Sequence, residues 1–73
     1  MKDFGRVGRM KTPTSDCTFM VVGGPSDEYI AQGKPAYRWA FVLRGWGYDS
    51  HLRQQGDIGA ISMDDTQITW LDD

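Results

Sequence analysis

Apolar and polar positions alternate most clearly over residues 36–48, AYRWAFVLRGWGY. Tyr37, Trp39, Phe41 and Leu43 fall on one parity, and Ala36, Arg38, Ala40, Val42 and Arg44 on the other. A period of two with aromatic and β-branched side chains predicts a half-buried strand. The larger side chains predict that Tyr37, Trp39, Phe41 and Leu43 face the core and that Arg38 and Arg44 solvate the outer face. Gly45-Trp46-Gly47 is expected to end this strand and to open a loop running to Asp57.

The flanking segments carry shorter signals. Residues 17–22, CTFMVV, form an apolar run of strand length, closed by the turn cluster Gly23-Gly24-Pro25-Ser26-Asp27. Residues 28–32 fit two states. As a helix they have Ser26 as N-cap, Asp27 and Glu28 in the first turn, and Gly33 just past the end. As a strand they pair with the central strand through a tight Gly33-Lys34 turn. The strand is the favoured expectation, because the central strand otherwise lacks a sequence neighbour. One or two helical turns are expected at 50–55. Residues 58–63 and 67–71 read as two further strands around an Asp64-Asp65-Thr66 turn. The fold class expected is mainly β, a small antiparallel meander or partly open barrel of four to five strands with at most one short helix. An α+β arrangement is the competitor.

Before Cys17 apolar periodicity is missing, and Gly5, Gly8 and Pro13 interrupt the chain. Residues 1–16 are therefore expected to form an irregular basic N-terminal arm, dispensable for folding, and 17–73 a single small β domain. Charge divides in the same way. Lys2, Arg6, Arg9 and Lys11 face only Asp3 in the first eleven residues, whereas the remainder holds four bases against nine acids. The acidic body argues against a broad nucleic-acid footprint and favours a partner protein with a basic surface.

Length narrows the chemistry further. A chain of 73 residues forms one domain with a marginal core, which makes self-association, a homodimer for instance, a natural supplement. Cys17 is the only cysteine and His51 the only histidine, so neither an internal disulfide nor a four-ligand zinc site can be assembled from the usual donors. Cys17 lies in an apolar run and His51 in a polar loop. No glycine-flanked serine, histidine pair or phosphate loop accompanies them. Asp64-Asp65 and Asp72-Asp73 would lie at opposite ends of one strand, too far apart to share a cation. The expectation is a non-enzyme with neither cofactor nor metal. No apolar run approaches membrane-spanning length, and the N-terminus lacks a signal-peptide core. The expected location is the cytoplasm, a host cell's included.

Two binding readings remain. In the first, the loop RGWGYDSHLR supplies a protein-binding surface from Arg44, Trp46, Tyr48, Asp49, His51 and Arg53, residue types enriched at interface centres. In the second, a small barrel binds single-stranded nucleic acid by stacking bases on Tyr37, Trp39, Trp46 and Tyr48, with Arg38 or Arg44 and the basic arm holding phosphates. The first is preferred on charge. Size and acidity resemble, in general character and without any shared motif, the inhibitor proteins of phages and other mobile elements. That likeness implies an inhibitor engaging a basic surface of a host nucleic-acid-handling protein.

Overall fold

The computed structural model describes residues 3–47 and 54–71. Five antiparallel strands, β1 (Val7–Thr12), β2 (Ser15–Gly23), β3 (Tyr37–Gly47), β4 (Ile58–Ser62) and β5 (Ile68–Trp70), form one open sheet in the order β4-β3-β2-β1-β5. A single helix, α1 (Asp27–Ala31), links β2 to β3. The mainly-β meander expected from the sequence is the observed class, although the expected helix turn at 50–55 falls mostly outside the described residues.

The order itself requires a curled sheet. β4 and β5 lie at opposite edges, which a flat sheet would hold about 19 Å apart at the usual strand spacing. Yet only residues 63–67 join them, and two turn hydrogen bonds, Asp65 N to Ser62 O and Ile68 N to Asp65 O, shorten that link further. The concave side collects the core: Met10, Cys17, Phe19, Val21, Ala40, Val42 and Ile61, with Met63, Ile68 and Trp70 packed against it. Gly8 pairs with Phe19 on one side and Trp70 on the other. Its missing side chain lets those rings meet edge to face at 5.8 Å. A Cβ there would stand 2.9 Å from the Phe19 ring.

The expected orientation of the central strand is reversed. Ala40 and Val42 are fully buried, while Leu43 is exposed and Tyr37, Trp39 and Phe41 are half-buried. Ala40 and Val42 pair with Val21 and Phe19 of β2, and small side chains suit the tight inside of a curled sheet already filled by Phe19 and Trp70. The large aromatics of β3 use the convex side instead. There Tyr29 of α1 stacks on Tyr37 at 5.3 Å and meets Trp39 at 5.7 Å. Both faces of β3 are thus covered, and side-chain size alone pointed to the wrong one.

The helix is the second correction. Residues 27–31 are helical because the end signals prevail over the pull of a strand neighbour: the Ser26 hydroxyl accepts from Tyr29 N, and Gly33 takes a positive φ of 75°.

The N-terminal segment is the third. Residues 7–12 are a strand inside the sheet, paired with β2 and β5 alike, and not an irregular arm. The residues before it close one end of the sheet. Gly5 N donates to Val21 O and Val21 N donates to Arg6 O, and the Arg6 guanidinium lies 3.9 Å over the Trp70 ring. Arg38 turns to the same end and does not solvate the outer face. Its Nη1 donates to the carbonyls of Pro35 and Tyr37 at 2.7 and 2.8 Å, and its Nε faces Asp3 Oδ2 at 3.4 Å without hydrogen-bond geometry. Alternation was hidden in this segment because Gly8 occupies a core-facing position.

Candidate functional site

The far half of β3 is re-aimed by one extra residue. Phe19 pairs with Val42, but its neighbour Thr18 pairs with Arg44. Leu43 is therefore an unpaired bulge residue, and the parity of the strand switches there. Without the bulge Arg44 and Trp46 would continue the core-facing set of Ala40 and Val42. With it they stand on the convex face, opposite Thr18 and Asp16. Gly45 takes the inward position at a φ of 124°, where a Cβ would fall within 2.3 Å of the Asp16 carbonyl oxygen. The stretch expected to break the strand is thus part of it, continuing to Gly47.

This arrangement creates a groove of about 550 Å³ on the convex face, lined by Arg9, Asp16, Thr18, Arg44, Gly45, Trp46 and Leu71. Asp16 and Thr18 of β2 supply the floor. Arg44 and Trp46 stand on the β3 side, and Arg9 and Leu71 on the side of β1 and β5. Trp46 and Leu71 are each about half exposed, at 50% and 51%, so each presents apolar surface to solvent. Arg9 donates from Nε and Nη2 to the two carboxylate oxygens of Asp16 at 2.8 and 2.7 Å. That forked geometry fixes the guanidinium. Among the described residues the Arg44 side chain makes neither a hydrogen bond nor an ion pair, although its charge helps to hold the Asp16 carboxyl low.

The hydrogen bond from Arg9 holds the Asp16 carboxyl below its ordinary value, with desolvation opposing and the charge of Arg9 assisting. A folded value below the unfolded one means that the stabilisation is present above the ordinary aspartate range and lost as pH falls through the depressed folded value. Both partners are open to solvent, so the gain in stability is small. An NMR titration of the Asp16 side-chain carbon should show a midpoint below that of an unfolded-peptide aspartate, rising again in Arg9→Gln. An identical midpoint in both proteins would contradict the pairing.

Of the residues expected to bind a partner, Arg44 and Trp46 are brought together on one face. Tyr48, Asp49, His51 and Arg53 lie outside the described residues. Arg9, Asp16, Thr18 and Leu71 were missed. A signal for two of them existed. Reading Pro13-Thr14 as a tight hairpin turn places Arg9 diagonally across from Asp16, a cross-strand spacing within reach of long side chains. The bulge carries no such signal.

Cys17 is buried, and desolvation raises its thiol pKa, which opposes nucleophilic use. Among the described residues no group of three His, Cys, Asp or Glu side chains could hold a metal ion, and no helix is long and apolar enough to cross a membrane. In comparisons with protein-family models, curated proteins and solved structures, no match was found.

Proposed function

We propose that this chain is a non-catalytic protein-binding module whose docking surface is the convex-face groove, with Trp46 as its apolar anchor and Arg44 as its polar one. The observation that carries the reading is the bulge at Leu43, which turns both side chains outward at the cost of a glycine-only position behind them. Bulges that re-aim side chains are frequent at functional sites, and Trp and Arg are the residue types that dominate binding energy at interfaces.

The nucleic-acid reading has one feature in its favour, since among the described residues around the groove Arg9, Lys11 and Arg44 outnumber Asp16. It loses most of its stacking platform, however. Tyr37 and Trp39 are occupied by Tyr29, and Arg38 is directed to backbone carbonyls and Asp3. One exposed tryptophan among the described residues is a poor track for successive bases. The narrower expectation of an inhibitor acting on a nucleic-acid-handling host protein rests on size and charge, and forms no part of the proposal.

The test compares capture by the wild-type chain and by Trp46→Ala, followed by calorimetry on any protein held by the first and lost by the second. Trp46→Ala should weaken that complex by about 2 kcal/mol or more, with the circular dichroism spectrum unchanged. Equal affinity for both chains would count against the groove. Binding to single-stranded oligonucleotides that falls by orders of magnitude between low and moderate salt would favour the other reading.

A further inference from the structure

The overall acidity of the chain suggests a basic partner, but the groove has the opposite sign. The one carboxylate among its described lining residues, Asp16, is engaged by Arg9 through two hydrogen bonds. That leaves three of the roughly five guanidinium N–H donors of Arg9 for another acceptor, and the position of the group is already set by Asp16. Across the groove the Arg44 side chain makes neither a hydrogen bond nor an ion pair among the described residues, and its charge bears on Asp16 only at longer range. Lys11, opposite Asp16 in the hairpin register, adds a third positive charge to the same face. Among the described residues of this face, a lysine- or arginine-rich surface would meet three cations and one acid already paired with Arg9.

The apolar components are interleaved with these charges. Trp46 follows Arg44 by two residues on the same face, about 7 Å along the strand. Leu71 stands beside Arg9 on the other side. Each wall thus offers one guanidinium and one apolar surface, with the Thr18 hydroxyl between them on the floor. A volume of about 550 Å³ falls within the range of ligand clefts.

We propose that the groove receives an extended segment of a partner protein in which acidic side chains alternate with apolar ones, the carboxylates meeting Arg44 and Arg9 and the apolar groups meeting Trp46 and Leu71. This inference rests on the protein-binding reading and names the chemistry of its partner. On this proposal the partner segment is acidic, the opposite of the basic surface that the net charge of the chain suggested.

The experiment is fluorescence anisotropy with the full chain and three labelled probes. The first is a ten-residue peptide of Asp, Glu, Leu and Phe. The second is its twin with every acid replaced by Lys, and the third a ten-nucleotide oligothymidine. The acidic peptide should bind at least about tenfold more tightly than the basic twin. Arg44→Glu should remove that preference or invert it, and Trp46→Ala should weaken the acidic peptide while leaving the sign of the preference intact. Unchanged circular dichroism spectra would establish that both variants are folded. Tighter binding of the basic twin, or acidic-peptide binding indifferent to Arg44→Glu, would overturn the proposed partner chemistry and leave the protein-binding reading standing. Binding of oligothymidine alone would overturn both. Failure of all three probes up to about 1 mM, a free energy near −4 kcal/mol, would overturn the acidic segment, and the capture experiment with Trp46→Ala would still decide the broader reading.

Discussion

A chain beginning at Thr12 should fail to fold. β1 occupies the fourth place in the sheet, and its loss removes the register partners of six residues of β2 and all three of β5. Met10, 8% exposed, leaves the core, and Phe19 and Trp70 lose the strand between them. The end closure by Arg6 on Trp70 and by Asp3 near Arg38 goes with it. Net stability for 73 residues is of the order of 4–11 kcal/mol at typical per-residue values. Removal of one large core side chain costs about 2–5 kcal/mol, so deletion of a whole central strand exceeds what is available. Far-ultraviolet circular dichroism and a urea melt of residues 12–73 should show no cooperative transition. A truncated chain melting within a few degrees of the full one would mean that residues 1–11 are peripheral after all.

The same segment marks the limit of what the sequence discloses. Turn chemistry was readable: the Gly23–Asp27 cluster, the Asp64-Asp65-Thr66 turn and the caps around α1 all mark real boundaries. These signals are local, set by side-chain hydrogen bonds and by the φ a residue tolerates. The faces of β3 were not readable, because both carry apolar residues and the deciding factor is the narrow interior created by Phe19, Trp70 and Gly8. That factor depends on which strands become neighbours. β1 was invisible for a related reason. Its inward positions are Gly8 and Met10, and a glycine contributes nothing to a hydrophobic pattern even where its small size is what the packing requires.

The binding site was partly legible on the same terms. Trp46 and Arg44 were identifiable as interface residue types wherever the chain placed them. Their shared direction was not, since it depends on a register shift between Thr18 and Phe19. Composition identified the anchors, and the fold gave them neighbours. The consequence for charge is concrete: among the described residues that line the groove the one acid, Asp16, is bound to Arg9.

Gly45→Ala should damage fold and site together. At a φ of 124° an alanine is strained, and its Cβ would meet the Asp16 carbonyl oxygen at 2.3 Å and the Cys17 Cα at 2.5 Å. Both obstacles are backbone, so no side-chain rotation relieves them. Strained backbone costs about 1–3 kcal/mol and overpacking a similar amount, which together give roughly 2–6 kcal/mol. The alternative open to the chain is to separate β3 from β2 beyond Thr18, releasing the pairs of Gly45 with Cys17 and Trp46 with Asp16. In that case Arg44 and Trp46 lose their fixed direction over the groove. Urea denaturation should register the destabilisation, and amide hydrogen exchange should rise at Asp16, on the β3-facing side of β2, more than at Met20, whose pairing with Phe41 lies on the other side of the bulge. Leu43→Ala is the control. The position is exposed and outside the paired register, and the substitution should change stability by less than about 1 kcal/mol. If Gly45→Ala proves as mild as Leu43→Ala, the close approach of β3 to β2 does not exist in solution, and Arg44 and Trp46 are not held to one face by it.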